Sequence, residues 1–183
     1  MSCVTLTKSR PLSCTSRIAG VRAIGVAKYD SLNRVVTTAT GVVALPTPYG
    51  IGTIARLELK NTATKFLENA VSGGDNRSTG VTGNIQCVFN VAAGQDIRDT
   101  LMIEELLKGE VVLFIEKKDG TITIAGSQLG AQVLTADDDT GGTIGDLNGF
   151  TVTFQTMEPD LSRKYLLTGA GLTAYATAIM PNV

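Results

Sequence analysis

From Thr53 onward, apolar and polar residues alternate along much of the chain. In "TIARLELK" the side chains of Ala55, Leu57 and Leu59 fall on one face and those of Arg56, Glu58 and Lys60 on the other, the period of a half-buried strand. "VTGNIQCVFNV" repeats the pattern, with Val81, Ile85, Cys87, Phe89 and Val91 opposite Thr82, Asn84, Gln86 and Asn90. It returns in "FTVTFQT", where Phe150, Val152 and Phe154 alternate with Thr151, Thr153 and Gln155. Leu129, Ala131 and Val133 suggest another strand over 127–136.

One segment changes period. In "QDIRDTLMIEELLKGE" the residues Met102, Ile103, Leu106 and Leu107 gather on one side of a helix. Asp96 can cap its start, Asp99 suits its first turn, and Gly109 stands where a left-handed cap would end it. This predicts a single helix over about 96–108. The uninterrupted "VVLFI" that follows suggests a strand covered on both faces, with the helix on one of them. Asp119-Gly120 then marks a hairpin.

The two ends are less regular. Over 1–52, Gly20, Gly25 and Gly41 interrupt the apolar runs and Pro46 and Pro48 punctuate the end, which predicts an arm and two or more irregular strands. The stretch "ADDDTGGTIGDLNG" reads as a polar loop. After Lys164 the chain is uncharged and rich in Ala, Thr and Gly, so 161–183 is expected to be an extended arm pairing with a sheet edge of its own or a neighbouring subunit. The expectation is one mainly β domain over 1–183, with its core at 53–160.

Composition agrees with that class. The 183 residues include 20 Gly and no Trp, aromatics make up 5%, and the 43% hydrophobic content is enough for a real core. The net charge of −1 conceals an asymmetry. Lys8, Arg10, Arg17, Arg22, Lys28 and Arg34 stand against Asp30 alone over residues 1–35, a net +5, and the remainder carries a net −6. Without interleaved aromatics, the spread of these cations favours a solvated or subunit-contacting arm over a nucleic-acid site. Cys3, Cys14 and Cys87 form no metal-ligand spacing, and Cys87 is expected to act as a small buried hydrophobe among reduced thiols. No signal-peptide pattern or bilayer-length apolar run is present, so a soluble protein is expected.

Chemistry finds little support. With no His, the commonest general base and metal ligand are missing, and the Ser-Lys pairs Lys8 with Ser9 and Lys164 with Ser162 lack surroundings that would desolvate the amine. Asp137, Asp138 and Asp139, with Asp146 and Asn148 nearby, offer oxygens to a hard cation, but not at EF-hand spacing. Gly141, Gly142, Gly145 and Gly149 lead into a strand, whereas a phosphate-binding loop needs a helix start behind it. No catalytic residue, metal site or cofactor is expected.

The order of "RLELKNTATKFLENA", "GNIQCVFNV", "DIRDTLMIEELLKG", "VVLFIEKKDGTITIAG" and "GDLNGFTVTFQTMEP" resembles the tail tube, or major tail, proteins of tailed bacteriophages over roughly 53–160. The resemblance implies a curled β-sandwich or barrel with one flanking helix and extended terminal arms. It also implies a non-enzymatic virion protein, made in the host cytoplasm, whose stacked homohexameric rings meet other tail proteins and conduct DNA without binding it, with no membrane partner. A head-to-tail connector or tail hub ring of the same fold is the near alternative. A carbohydrate-binding or adhesion module presenting "SGGDNRSTG" and "ADDDTGGTIGDLNG" is the alternative of another class, disfavoured by the absence of Trp.

Overall fold

The structure, a computed structural model, describes residues 19–31, 36–38, 41–45, 49–50, 52–59, 64–72, 79–90, 96–143, 146 and 148–180. The chain is mainly β. An antiparallel sheet of eight strands contains β1 (Val21–Lys28), β4 (Ala55–Glu58), β5 (Phe66–Ser72), β6 (Thr79–Asn90), β7 (Val111–Lys117), β8 (Ile122–Ala125), β9 (Ala131–Asp139) and β10 (Gly149–Glu158). The strands β2 (Val36–Thr38) and β3 (Gly41–Ala44) pair separately with each other. Two α-helices, α1 (Asp96–Lys108) and α2 (Ala170–Ala178), complete the described elements, together with a 3-10 turn at Ser162–Tyr165.

The sheet runs β4-β1-β7-β9-β10-β6-β5, with β8 pairing β7 off this path. It is made of two extensive ladders, β4-β1-β7-β8 and β9-β10-β6-β5, joined through the single pair Val111–Ala131. Between β8 and β9 the chain reverses at Gly126 and Gly130, both with left-handed φ, and a Cβ on Gly126 would stand 2.8 Å from the Ala131 nitrogen. The outermost strands, β4 and β5, are neighbours in sequence, and the Val21 N–H donates to the Thr64 carbonyl just before β5.

The main core draws on both ladders. Ile24, Leu113 and Ile115 from one meet Ile85, Cys87, Val152 and Phe154 from the other, and Ile103 and Leu106 of α1 join them. Each such side chain, fully buried, contributes about 1.5–3 kcal/mol. The other face of β7 holds a second cluster, in which Val112, Phe114 and Ile124 lie under Tyr49, Ile54, Tyr165, Leu167, Tyr175 and Ala178. Strand β7 is therefore covered on both sides, as its unbroken apolar run predicts, with α1 on one face and the C-terminal segment on the other.

Several expectations are corrected. Gly25 lies inside the eight-residue β1 and does not interrupt it. "RLELKNTATKFLENA" holds two strands, β4 and β5, at opposite ends of the sheet order. The strand predicted at 127–136 begins at Ala131, because residues 127–130 form the corner and leave Leu129 exposed. Asp137, Asp138 and Asp139 are not a loop tip but the end of β9, paired with Thr151, Phe150 and Gly149. The helix 96–108 stands as predicted, but Gly109 does not take the left-handed conformation expected of a cap. Leu107 is exposed, since Ile103 and Leu106 face the core and a further step of about 100° carries the next residue off that face.

The largest correction is at the C-terminus. Residues 161–180 do not extend as an arm: they form the 3-10 turn and α2, and fold back over the β1-β7-β8 face. Burial of Tyr165, Leu167, Tyr175 and Ala178 there removes apolar surface from water that an extended tail would leave wet. The expected sheet-edge pairing survives as two isolated bridges, Thr123 with Leu166 and Ile54 with Ile179. Of the arm and irregular strands expected over 1–52, residues 1–18 lie outside the described residues, as do Val91 and the side chain of Phe89.

Candidate functional site

Two surfaces stand out, one polar and one apolar. The polar surface is the outer face of β9-β10-β6-β5. Because β10 turns Phe150, Val152 and Phe154 inward, its Thr151, Thr153, Gln155 and Met157 point out, and the register aligns them with outward residues of the neighbouring strands. Leu67, Asn84, Gln155 and Gln132 form one row across the four strands, and Gln155 Nε2 donates to Asn84 Oδ1 at 3.4 Å. Gln86, Thr153 and Thr135 form the next row, Val88, Thr151 and Asp137 another, and Asn69, Thr82 and Met157 a fourth. These rows contain no Lys or Arg, and Asp137 at the rim is their sole charge. Such a face offers hydrogen bonds to water and no cation to a phosphate.

The glycine turn beside this face is occupied by the chain's own carboxylates. Gly141 N–H donates to Asp139 Oδ1 at 2.9 Å. The N–H groups of Gly142 and Thr143 and the Thr143 hydroxyl all donate to Asp146 Oδ2, at 3.1, 2.8 and 2.9 Å. The Thr143 side chain, then the backbone amides, hold the Asp146 carboxyl below its ordinary range. The amides that a bound phosphate would need are thus turned onto Asp146. Among the described residues no group of three or more Cys, Asp or Glu is placed to hold a metal ion. Gly145 lies outside the described residues, and Asn148 is exposed just before β10.

Of the Ser-Lys pairs, Lys8 with Ser9 lies outside the described residues. Ser162 is buried and its N–H donates to Glu68 Oε1 at 2.8 Å, while the side chain of Lys164 is not among those described. Cys87 is fully buried and burial pushes its thiol up to about 12, so it stays protonated and inert at neutral pH.

The apolar surface is the β1-β7-β8 face with the C-terminal segment seated on it. Backbone bonds hold both ends of the segment: Leu167 N–H to Ile122 O at 3.0 Å, Ile54 N–H to Ala178 O at 3.0 Å, and Met180 N–H to Ile54 O at 2.9 Å. Its central anchor is Tyr175. The ring stacks on Phe114 with centroids 5.2 Å apart and an interplanar angle of 30°, and lies over Gly25, where an added Cβ would stand 2.7 Å from the hydroxyl. That hydroxyl donates to Glu116 Oε1 at 2.7 Å. Arg56 donates to both oxygens of Glu116 at 2.9 Å, and to Glu58 on its exposed side.

The titrations follow from this arrangement. Burial alone would raise the Glu116 carboxyl, but hydrogen bonds from Arg56 and Tyr175 and the charges of Arg56 and Arg22 outweigh it and hold it below its ordinary value. Burial, then the bond to Glu116, pushes the Tyr175 phenol upward. Glu158 behaves oppositely. It is 4% exposed, its Oε1 accepts Gln128 N–H at 3.0 Å at the β8–β9 corner, and its Oε2 has no hydrogen-bond partner among the described residues. Burial raises its carboxyl, and backbone bonds from the corner only partly offset this.

Arg56, Glu116, Tyr175 and Glu158 are beyond sequence reasoning as a set. The one legible hint is a single Tyr among Ala and Thr in "LTAYATA", a bulky side chain in a run of small ones. Among the described residues no helix is long and apolar enough to cross a membrane. Comparison with protein-family models, with curated proteins and with solved structures finds no match to this chain.

Proposed function

We propose that the chain is a non-enzymatic structural subunit of a phage tail, forming homo-oligomeric rings, most simply hexamers, that stack into a tube around passing DNA. The observation that carries this reading is the cation-free polar face of β9-β10-β6-β5. A surface past which DNA must slide has to be wet and unable to neutralise phosphates, since Lys and Arg supply the counterion-release affinity for nucleic acid. Rows made mostly of Thr, Asn and Gln, interrupted by Leu67, Val88 and Met157, support it.

The order of elements gives the second support. The run β6, α1, β7-β8 hairpin, β9 and β10 follows the succession on which the phage resemblance rests. In this reading the two ladders, sharing one core and joined at Val111–Ala131, are the leaves of a curled β-sandwich. The polar leaf faces the lumen, α1 flanks the core, and basic residues near the N-terminus, such as Arg22 and Lys28, meet the acidic body of the next copy.

Electron microscopy of the purified protein, with mass by light scattering, tests the reading. Rings or open-ended tubes are the expected result. A monomer that stays compact at high concentration, alone and with other tail components, overturns it, and a single unstacked ring would shift the assignment to a connector or hub.

A further inference from the structure

The C-terminal segment is bound to its own chain in the way a peptide ligand is bound to a receptor. Its seat is apolar and nearly closed to water, covered by the segment together with Tyr49: Ala27, Ile54, Val112, Phe114 and Ile124 are each 4% exposed or less. The bonds at its two ends are backbone bonds, which depend on no particular side chain. The one bulky anchor, Tyr175, enters a notch that exists because β1 carries glycine at position 25. The segment has little structure of its own to contribute. Helix α2 has nine residues, no side-chain cap, and no acid in its first turn or base in its last, and isolated helices of that length are unstable in water.

The seat therefore holds the helix together as much as the helix covers the seat. The segment is joined to the sheet by Pro159, Asp160 and Leu161, a short connection between the end of β10 and the 3-10 turn. Beyond Arg163 and Lys164 the segment carries no charge, and a second copy presents the same seat with the same charges.

We propose that Ser162–Met180 is an exchangeable strap, and that the β1-β7-β8 face is a docking site for the same segment of a second copy of this chain. Exchange keeps every contact of the seated form and changes only the course of the connection at 159–161, the condition under which swapping between identical copies costs least. Two chains linked in this way would be joined through Tyr175 in the notch over Gly25 of the partner copy. The inference stands on the seated strap and does not require that the chain form tubes.

Ala55 and Met180 line the same groove and stand opposite each other one step beyond the parallel Ile54–Ile179 bridge, which makes them the positions to test. In a background with Cys3 and Cys14 replaced by Ser and the buried Cys87 retained, full-length chains carrying Ala55→Cys alone and Met180→Cys alone, of distinguishable size, are mixed at high concentration and oxidised. Neither chain can close on itself through this pair. The expected result is a covalent heterodimer several-fold in excess of either homodimer, and its loss when Gly25→Val is added to the Ala55→Cys chain. The double variant on one chain sets the reference, since it closes internally when the strap sits on its own sheet. Internal closure with no heterodimer excess overturns exchange, and failure of the double variant to close overturns the seated strap itself.

Discussion

Gly25 illustrates how one missing side chain can organise a surface. It stands inside a central strand, where glycine is ordinarily unfavourable, and its lack of a Cβ lets Tyr175 lie flat between Ile54 and Phe114. Gly25→Val should cost roughly 1–3 kcal/mol by overpacking, seen as a lower urea midpoint with an unchanged slope. Two carboxylates at this scale pull the pH dependence in opposite directions. Glu116 titrates below its unfolded value, so its contribution is present above the ordinary Glu range and is lost as pH falls through its native value. Glu158 titrates above its unfolded value, so its contribution is present below the ordinary Glu range and is lost as pH rises toward its native value. Urea midpoints from about pH 3 to 7 should therefore lose their acid-side fall in Glu116→Gln, and lose the decline on the neutral side in Glu158→Gln. Glu116→Gln should also lower stability at neutral pH, because Arg56 and Tyr175 give up their charged partner.

Among elements, α1 shows what a hydrophobic pattern can and cannot resolve. The period over 96–108 fixes the helix and the burial of Ile103 and Leu106, but the edge of an apolar stripe depends on what it packs against, and Leu107 falls beyond it. Leu106→Ala should cost about 2–4 kcal/mol in chemical denaturation, and Leu107→Ala no more than about 0.5 kcal/mol. Strands were legible for the same reason: Val152, Phe154, Ile85 and Cys87 alternate inward just where the sequence alternates. The polar rows on the outer face were equally legible as residues, though not as a surface, because which strands adjoin is decided by pairings far apart in sequence. The C-terminal segment was not legible, since a run of Ala, Thr and Gly has no strong period of its own and takes helix only where the β7 face supports it. Asp137–Asp139 misled for a related reason. Charge suggests a loop, yet these residues complete a ladder with β10 whose register is set by the Phe and Val positions further along.

At the scale of the whole molecule, the two ladders carry outer faces of different kinds. One turns mostly Thr, Asn and Gln to water, and the other is closed by the chain's own C-terminal segment. The polar face gives the prediction most specific to a conducting tube. Thr153 and Gln155 lie near its centre, partly exposed, with their neighbours on β6 and β9 uncharged, so lysines placed there would be solvated and should leave the fold intact. Thr153→Lys with Gln155→Lys should therefore leave the unfolding midpoint nearly unchanged while adding a DNA affinity absent from the parent at the same ionic strength. Two added phosphate contacts per subunit should steepen the fall of log affinity against log salt by up to about 1.8 per engaged subunit, measured by titrating labelled duplex into assembled protein. If the chain forms the proposed rings, the effect should multiply with each copy that faces the DNA, whereas on isolated subunits it should stay near the two-contact limit. A steepening that grows with assembly places this face toward the DNA path, and one that vanishes on assembly means that the rows are buried between copies instead.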